Sequence, residues 1–274
     1  MAKDWKEIKA VQEVADLSYK MWDRGWDEAN GGNISYILTD EEAAELEYTP
    51  GTGRKITLVE GIPDGVRGKY ILVTATMSYF RELRDDLDHL IGIVYIPEEG
   101  DDYEVVRGLE GNSRPSSEFG SHLGVHAVRL AADPEQRVVM HNHATHVLAM
   151  QHVAPIDEKE FTLCLWRMIS EGIIMLPDGI GYVPWCVCGN KEIMDKTIES
   201  MRTHRVVLWG YHGLLTTGKS MHDAFGLLEL IDKICEAWLL AEAAGRKNPG
   251  ISDEGLMELC EFFGVTPREG YLNV

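Results

Sequence analysis

The stretch Arg137-Val-Val-Met-His-Asn-His143 constrains this chain more than any other. Arg137 to Met140 is β-branched and apolar enough to form a strand. Strand side chains alternate faces, so His141 and His143 point one way and Asn142 the other. Two imidazoles at the polar end of an apolar strand can grip one divalent metal. Far downstream, Val206-Val-Leu-Trp209 gives a second strand signal, followed by Gly-Tyr-His212-Gly213. A third imidazole from there would complete a His₃ site with an open position, as in a catalytic zinc rather than a structural one. An H-x-H pair is also an ordinary polar strand end. His122 and His126, at i and i+4 on an expected helix, could chelate in their place.

The 274 residues carry 45 acidic and 26 basic side chains, a net charge of −19. Such a surface repels nucleic-acid phosphates and anionic membranes, so neither is an expected partner. An anionic substrate would need a pocket that opposes the global field. The N-terminus lacks an apolar signal-peptide core, and no apolar run approaches the ~20 residues of a membrane span. The five cysteines lack zinc-ribbon or redox spacing and read as reduced packing residues of a cytoplasmic protein. Cys186 and Cys188, spaced C-x-C, are alternative metal ligands.

No repeat or linker divides residues 1–274, which read as one domain. A helix is expected over 4–24, where apolar residues recur at three-residue spacing. Strands are expected at Ile34–Leu38, Tyr70–Thr74, Leu90–Ile96 and Tyr103–Arg107, with 41–68 as a long excursion. Ser116 or Ser117 should cap a helix carrying Phe119, Leu123 and Leu130. Then come a helix over Glu158–Ser170, a short strand Gly172–Leu176, a helix from Asn190 to about His204, and strands Val206–Trp209 and Leu214–Thr217. Ser220 and Ser252 should start two last helices, the second stopped by Gly264. Mixed strands and helices favour an α/β or α+β sandwich around one sheet.

Four constellations could carry chemistry. Glu118, after Pro115-Ser-Ser, is either a good helix start or an acid/base turned into a cleft near the metal. Asn30-Gly-Gly-Asn33 is a tight loop, or an anion-holding nest of backbone N–H groups. Thr74, Thr76 and Ser78 offer hydroxyls at a strand exit, and Ser116 and Ser117 could join a phosphate site. Pro177-Asp-Gly179 with Tyr182-Val-Pro-Trp185 is rigid turn chemistry supporting a strand pair. Beside it, Glu171 is a helix end or a second acid/base. His146 is expected in the core or behind the ligands.

Asn30-Gly-Gly-Asn33, Ser116-Ser-Glu118, His141-Asn-His143, Glu171 with Pro177-Asp-Gly179, and Trp209-Gly-Tyr-His-Gly213 occur in that order. Together they resemble the zinc-dependent class II aldolase/adducin family over nearly the full length. The resemblance implies a three-layer α/β/α fold on a mostly antiparallel sheet and a homotetramer with active sites near its interfaces. It implies one Zn²⁺ per subunit on His141, His143 and His212, with Glu118 as acid/base and Glu171 assisting at the aldehyde end. Asn30, Asn33, Thr76, Ser116 and Ser117 would hold the phosphate of a phosphorylated ketose undergoing reversible retro-aldol cleavage in the cytoplasm. The family turn Thr-Gly-Ser-Gly is replaced by Thr74-Ala-Thr-Met-Ser78, which lacks two glycines and a following positive charge. A related aldolase, epimerase or dehydratase is one alternative, and a non-catalytic adducin-like binding module another. The retained histidines favour an enzyme.

Overall fold

The computed structural model describes residues 4–274. Among these, nine strands form one sheet: β1 (Asn33–Ile37), β2 (Arg54–Thr57), β3 (Tyr70–Thr74), β4 (Ile91–Tyr95), β5 (Asp102–Gly108), β6 (Val138–Asn142), β7 (Gly181–Val183), β8 (Val206–Trp209) and β9 (Gly213–Gly218). Their order is β2-β5-β4-β3-β1-β6-β9-β8-β7. Every neighbouring pair is antiparallel except β7 and β8. The helices are α1 (Lys9–Asp23), α2 (Asp40–Ala44), α3 (Leu87–Leu90), α4 (Phe119–Ala132), α5 (Thr145–Met150), α6 (Glu158–Trp166), α7 (Ser170–Met175), α8 (Lys191–Ser200), α9 (Met221–Ala243) and α10 (Asp253–Phe263).

The central strands β1 and β6 are buried at every residue, so both faces of the sheet are covered. Period-two alternation sorts their side chains. Ile34, Tyr36, Val138 and Met140 enter one large apolar core with Val11, Val14 and Leu17 of α1 and Leu228 and Ile231 of α9. On the other face, Val139, Val207 and Leu215 pack with Val125 of α4 and Ile193 of α8. Ile37, Ile71 and Val73 pack there with Phe119 and Leu123 of α4. The result is the expected three-layer α/β/α arrangement on a mostly antiparallel sheet.

Three local readings are corrected. The expected strand at 172–176 is the short helix α7, and the strand that completes the sheet is β7. A short apolar run such as Gly172-Ile-Ile-Met does not by itself separate strand from buried helix. Gly172 packs so closely on α6 that an added Cβ would lie 2.8 Å from the Leu165 carbonyl oxygen. The excursion expected over 41–68 holds most of α2, which starts with a capping box between Thr39 and Glu42, and the edge strand β2. Helix α4 starts at Phe119 with Glu118 in the cap position, so neither Ser116 nor Ser117 caps it. The caps expected from Ser220 and Ser252 are present, and Gly264 ends α10 in the left-handed conformation, φ 67°.

The turn around Asp178 clamps β7 to the entry of β8. Its carboxylate accepts from the Arg205 backbone N–H (2.7 Å) and guanidinium (3.0 Å). All five cysteines are free. Among the described residues, no helix is long and apolar enough to cross a membrane.

Candidate active site

Antiparallel pairing of β1, β6 and β9 brings three remote segments to one sheet end. Asn33 stands opposite His141, and His141 opposite Leu215. The turn from β8 to β9 swings His212 over this end, through Tyr211 at φ 55° and Gly213. Gly213 lies so close to the Asn142 carbonyl that no side chain fits there. One nitrogen from each of His141, His143 and His212 lies within 4.8 Å of the others. The Trp209 indole backs the group, stacked on His212 at 5.0 Å and tilted against His141 at 4.6 Å.

These rings fit a metal by their hydrogen bonding. His141 Nδ1 lies 2.9 Å from the Leu214 carbonyl, and His143 Nδ1 lies 2.8 Å from Glu28 Oε1. Each contact fixes a tautomer and frees the other ring nitrogen, as outer partners of metal-bound histidines do. His143 Nε2 and His212 Nδ1 are buried with no protein partner. Burial, then the neighbouring rings, holds His141 well below its ordinary value. The same causes lower His212 to about 4. Both rings are therefore neutral donors near pH 7. Cys186 and Cys188 are not in the cluster. His122 and His126 are also absent from it and bond to Ser35.

Glu118 lies in the same cleft, 7% exposed. As the helix-cap residue it makes no cap bond, and Asn33 Nδ2 donates to its Oε2 at 2.7 Å. Burial pushes its carboxyl above the ordinary value, while the Asn33 bond and His143 hold it back. A carboxyl balanced in this way suits proton transfer.

The cleft has about 300 Å³ of open volume. Asn30, Gly31, Gly32, Thr76, Met77, Ser116 and Ser117 line it opposite or beside the imidazoles. Among the described residues lining it there is no Lys or Arg. Thr74 and Ser78 spend their hydroxyls internally, on Ile34 and on the Ala75 carbonyl. Thr76 is left exposed to the cleft. Met77 holds φ 60°, the left-handed geometry that glycine would favour. Asn33 spends its amide on Glu118 and His122. Ser116 Oγ accepts from the Glu118 N–H at 3.3 Å.

Glu171 lies apart from the other candidate residues on this chain. It sits exposed in the first turn of α7 and does not line this chain's cleft. His146 pairs with Asp232 at 2.9 Å, behind the site. Sequence reasoning missed Glu28 and Asp27. Asp27 is buried under Gly32, whose flatness makes room for its carboxylate, and burial pushes its carboxyl well above the usual range. Their place just before the Asn30-Gly-Gly-Asn33 loop was the available signal.

Known proteins similar to this chain share one family. Rhamnulose-1-phosphate aldolase of Enterococcus faecalis is 42% identical over 262 residues, 96% of this chain and 94% of that protein. The enzyme of the same name from Listeria monocytogenes is 38% identical over the whole of both chains. A sugar-phosphate aldolase from Thermotoga maritima has a similar structure, with TM-score 0.73 and 29% identity, over 88% of this chain and 98% of that one. Residues 12–239 match the class II aldolase and adducin N-terminal domain, and the chain belongs to that family.

Proposed function

We propose that the chain, a lyase of the class II aldolase type, reversibly cleaves L-rhamnulose 1-phosphate to dihydroxyacetone phosphate and L-lactaldehyde. One observation carries this reading: three imidazoles from remote segments gather within 4.8 Å of one another in a cleft that also holds a buried carboxyl, Glu118. The relatives from E. faecalis and L. monocytogenes bear the activity in their names and span nearly the whole chain.

His141, His143 and His212 would hold zinc, which when bound supplies a Lewis acid for negative charge developing on the ketose oxygens. Cleavage passes the C4 hydroxyl proton to the Glu118 carboxylate and breaks the C3–C4 bond. The bond's electrons stay on C3 as an enediolate, and C4 leaves as the aldehyde. Glu118 gives C3 its proton, and in the synthetic direction its carboxylate removes it. Its raised proton affinity fits both roles near neutral pH. Asn30, Thr76, Ser116, Ser117 and the backbone of Gly31 and Gly32 hold the phosphate through amides and hydroxyls, since no cationic side chain lines the cleft among the described residues. Glu171, exposed on its own chain, serves the aldehyde end of a neighbouring copy's cleft. This reading goes with a cytoplasmic homotetramer.

The test is aldehyde release from L-rhamnulose 1-phosphate, L-fuculose 1-phosphate and L-ribulose 5-phosphate. The largest kcat/KM is expected for the first. No aldehyde from any of them would remove the aldolase reading. Met77, 66% exposed at the cleft where the family has glycine, favours a second reading: a related aldolase, epimerase or dehydratase for another sugar phosphate.

A further inference from the structure

Behind Glu118, four side chains not used by the reaction run in single file. Asn33 Nδ2 donates to Glu118 Oε2 at 2.7 Å. Asn33 Oδ1 lies 2.5 Å from His122 Nε2. His122 Nδ1 lies 2.7 Å from Ser35 Oγ, and Ser35 Oγ lies 2.8 Å from His126 Nε2. Asn33 and Ser35 share one face of β1, two residues apart, and His122 and His126 share one face of α4, four apart. All four are buried, Ser35 and His122 with no exposed surface.

Donors and acceptors in this file allow two proton arrangements when both rings are neutral. Burial alone lowers His122 to about 3, and it lowers His126 in the same direction, so neither ring is charged near neutral pH. In the first arrangement Asn33 turns its N–H to Glu118 and its oxygen to His122. His122 then carries its proton on Nε2 and accepts the Ser35 hydroxyl proton at Nδ1. The Ser35 oxygen in turn accepts from His126 Nε2–H. In the second arrangement every bond is reversed, and the Asn33 oxygen faces the Glu118 carboxylate. Two acceptors then meet with no proton between them, unless Glu118 is itself protonated.

We propose that His126, Ser35, His122 and Asn33 form a one-way hydrogen-bond chain that presents an N–H to the Glu118 carboxylate and holds it in place for proton transfer. They are positioning residues, since none of them needs to touch substrate to act. The amide of Asn33 is symmetric enough to flip, and the two imidazole tautomers prevent it. The proposal rests on the reading of Glu118 as the acid/base.

The test uses the full-length, metal-loaded protein with ¹⁵N-labelled histidine, the two rings being assigned by signal loss in H122Q and H126Q. Ring nitrogen shifts report the tautomer. Both rings should be neutral and protonated on Nε2. A His122 ring protonated on Nδ1, or on both nitrogens, overturns the proposal whatever the kinetics. H122L removes the donor to Asn33, whereas H122Q can still offer one. H122L should lower kcat about 10- to 100-fold, the worth of a hydrogen bond to a charged group, with KM and metal content unchanged. H122Q should recover most of that loss. If E118Q is inactive and H122L keeps wild-type kcat, the positioning role is overturned. The expected tautomers with full turnover in E118Q would support the chain's polarity and overturn the reading of Glu118.

Discussion

On β1 and β6, Ile34, Tyr36, Val138 and Met140 meet the side chains of α1 and α9, while Asn33, Ser35 and His141 share the opposite face with α4. The first face is mainly apolar packing, with the Tyr36 hydroxyl donating to Glu42 and Asn142 buried at its end. The second sets a file of hydrogen-bonded polar groups and a histidine triad that could hold a metal between two smaller apolar clusters. Strand alternation lets five-residue segments serve both ends at once. A buried polar group is tolerable only when its bonds are made, so the polar face demands exact partners, whereas the apolar face demands volume and shape. The large apolar core and the candidate active site thereby lie on different sides of the same strands.

Substitutions on the two faces should separate these roles. E118Q should lower kcat about 10²- to 10⁴-fold, equivalent to roughly 3–5 kcal/mol of barrier, with the fold and bound metal intact. Steady-state kinetics and metal analysis on the same preparation check this, and near-normal turnover would contradict it. On the other face, Ile34→Ala should cost about 2–5 kcal/mol of stability through a cavity in the large core. The protein that remains folded should keep nearly wild-type kcat, as read by urea unfolding and by activity corrected for folded fraction. An Ile34→Ala protein that is stable but slow would break the division between faces.

The polar face should also make stability depend on acid. His122 is held down to about 3 against an ordinary 6.5, so the unfolded chain binds a proton that the native chain refuses. Stability should therefore fall as pH drops below 6.5 and continue falling until pH nears 3, by several kcal/mol in all. Urea unfolding near neutrality and at roughly pH 4.5 measures this. The slope should flatten in H122Q, and an unchanged slope there would place the acid sensitivity elsewhere.

The smallest expected effect lies at the cleft rim. Met77 adopts φ 60° without being glycine. Met77→Gly should relieve about 1–2 kcal/mol of left-handed strain and lose about 0.5–1 kcal/mol to chain entropy. The net gain should lie between nothing and about 1.5 kcal/mol by urea midpoint. A clear loss of stability would mean that the Met77 side chain supports the turn.

Much of this was legible because strand and cap chemistry is local. The H-x-H alternation of His141 and His143, the caps at Ser220 and Ser252 and the stop at Gly264 are each decided within a few residues. What was not legible depended on partners distant in sequence. Gly172-Ile-Ile-Met forms a helix because it packs on α6, and β2 exists because β5 offers it an edge. His122 and His126 carry the spacing of a chelating pair, and only the position of Ser35 on β1 turns them into hydrogen-bond partners. Glu171 is exposed and outside this chain's cleft, which its neighbours in sequence do not foretell.

Metal content per chain, measured in the wild type, His212→Ala and E118Q after identical dialysis, tests the central claim most directly. One zinc per chain is expected in the wild type and in E118Q, and almost none in His212→Ala. Full metal occupancy in His212→Ala would contradict the convergence of the three imidazoles on a single ion.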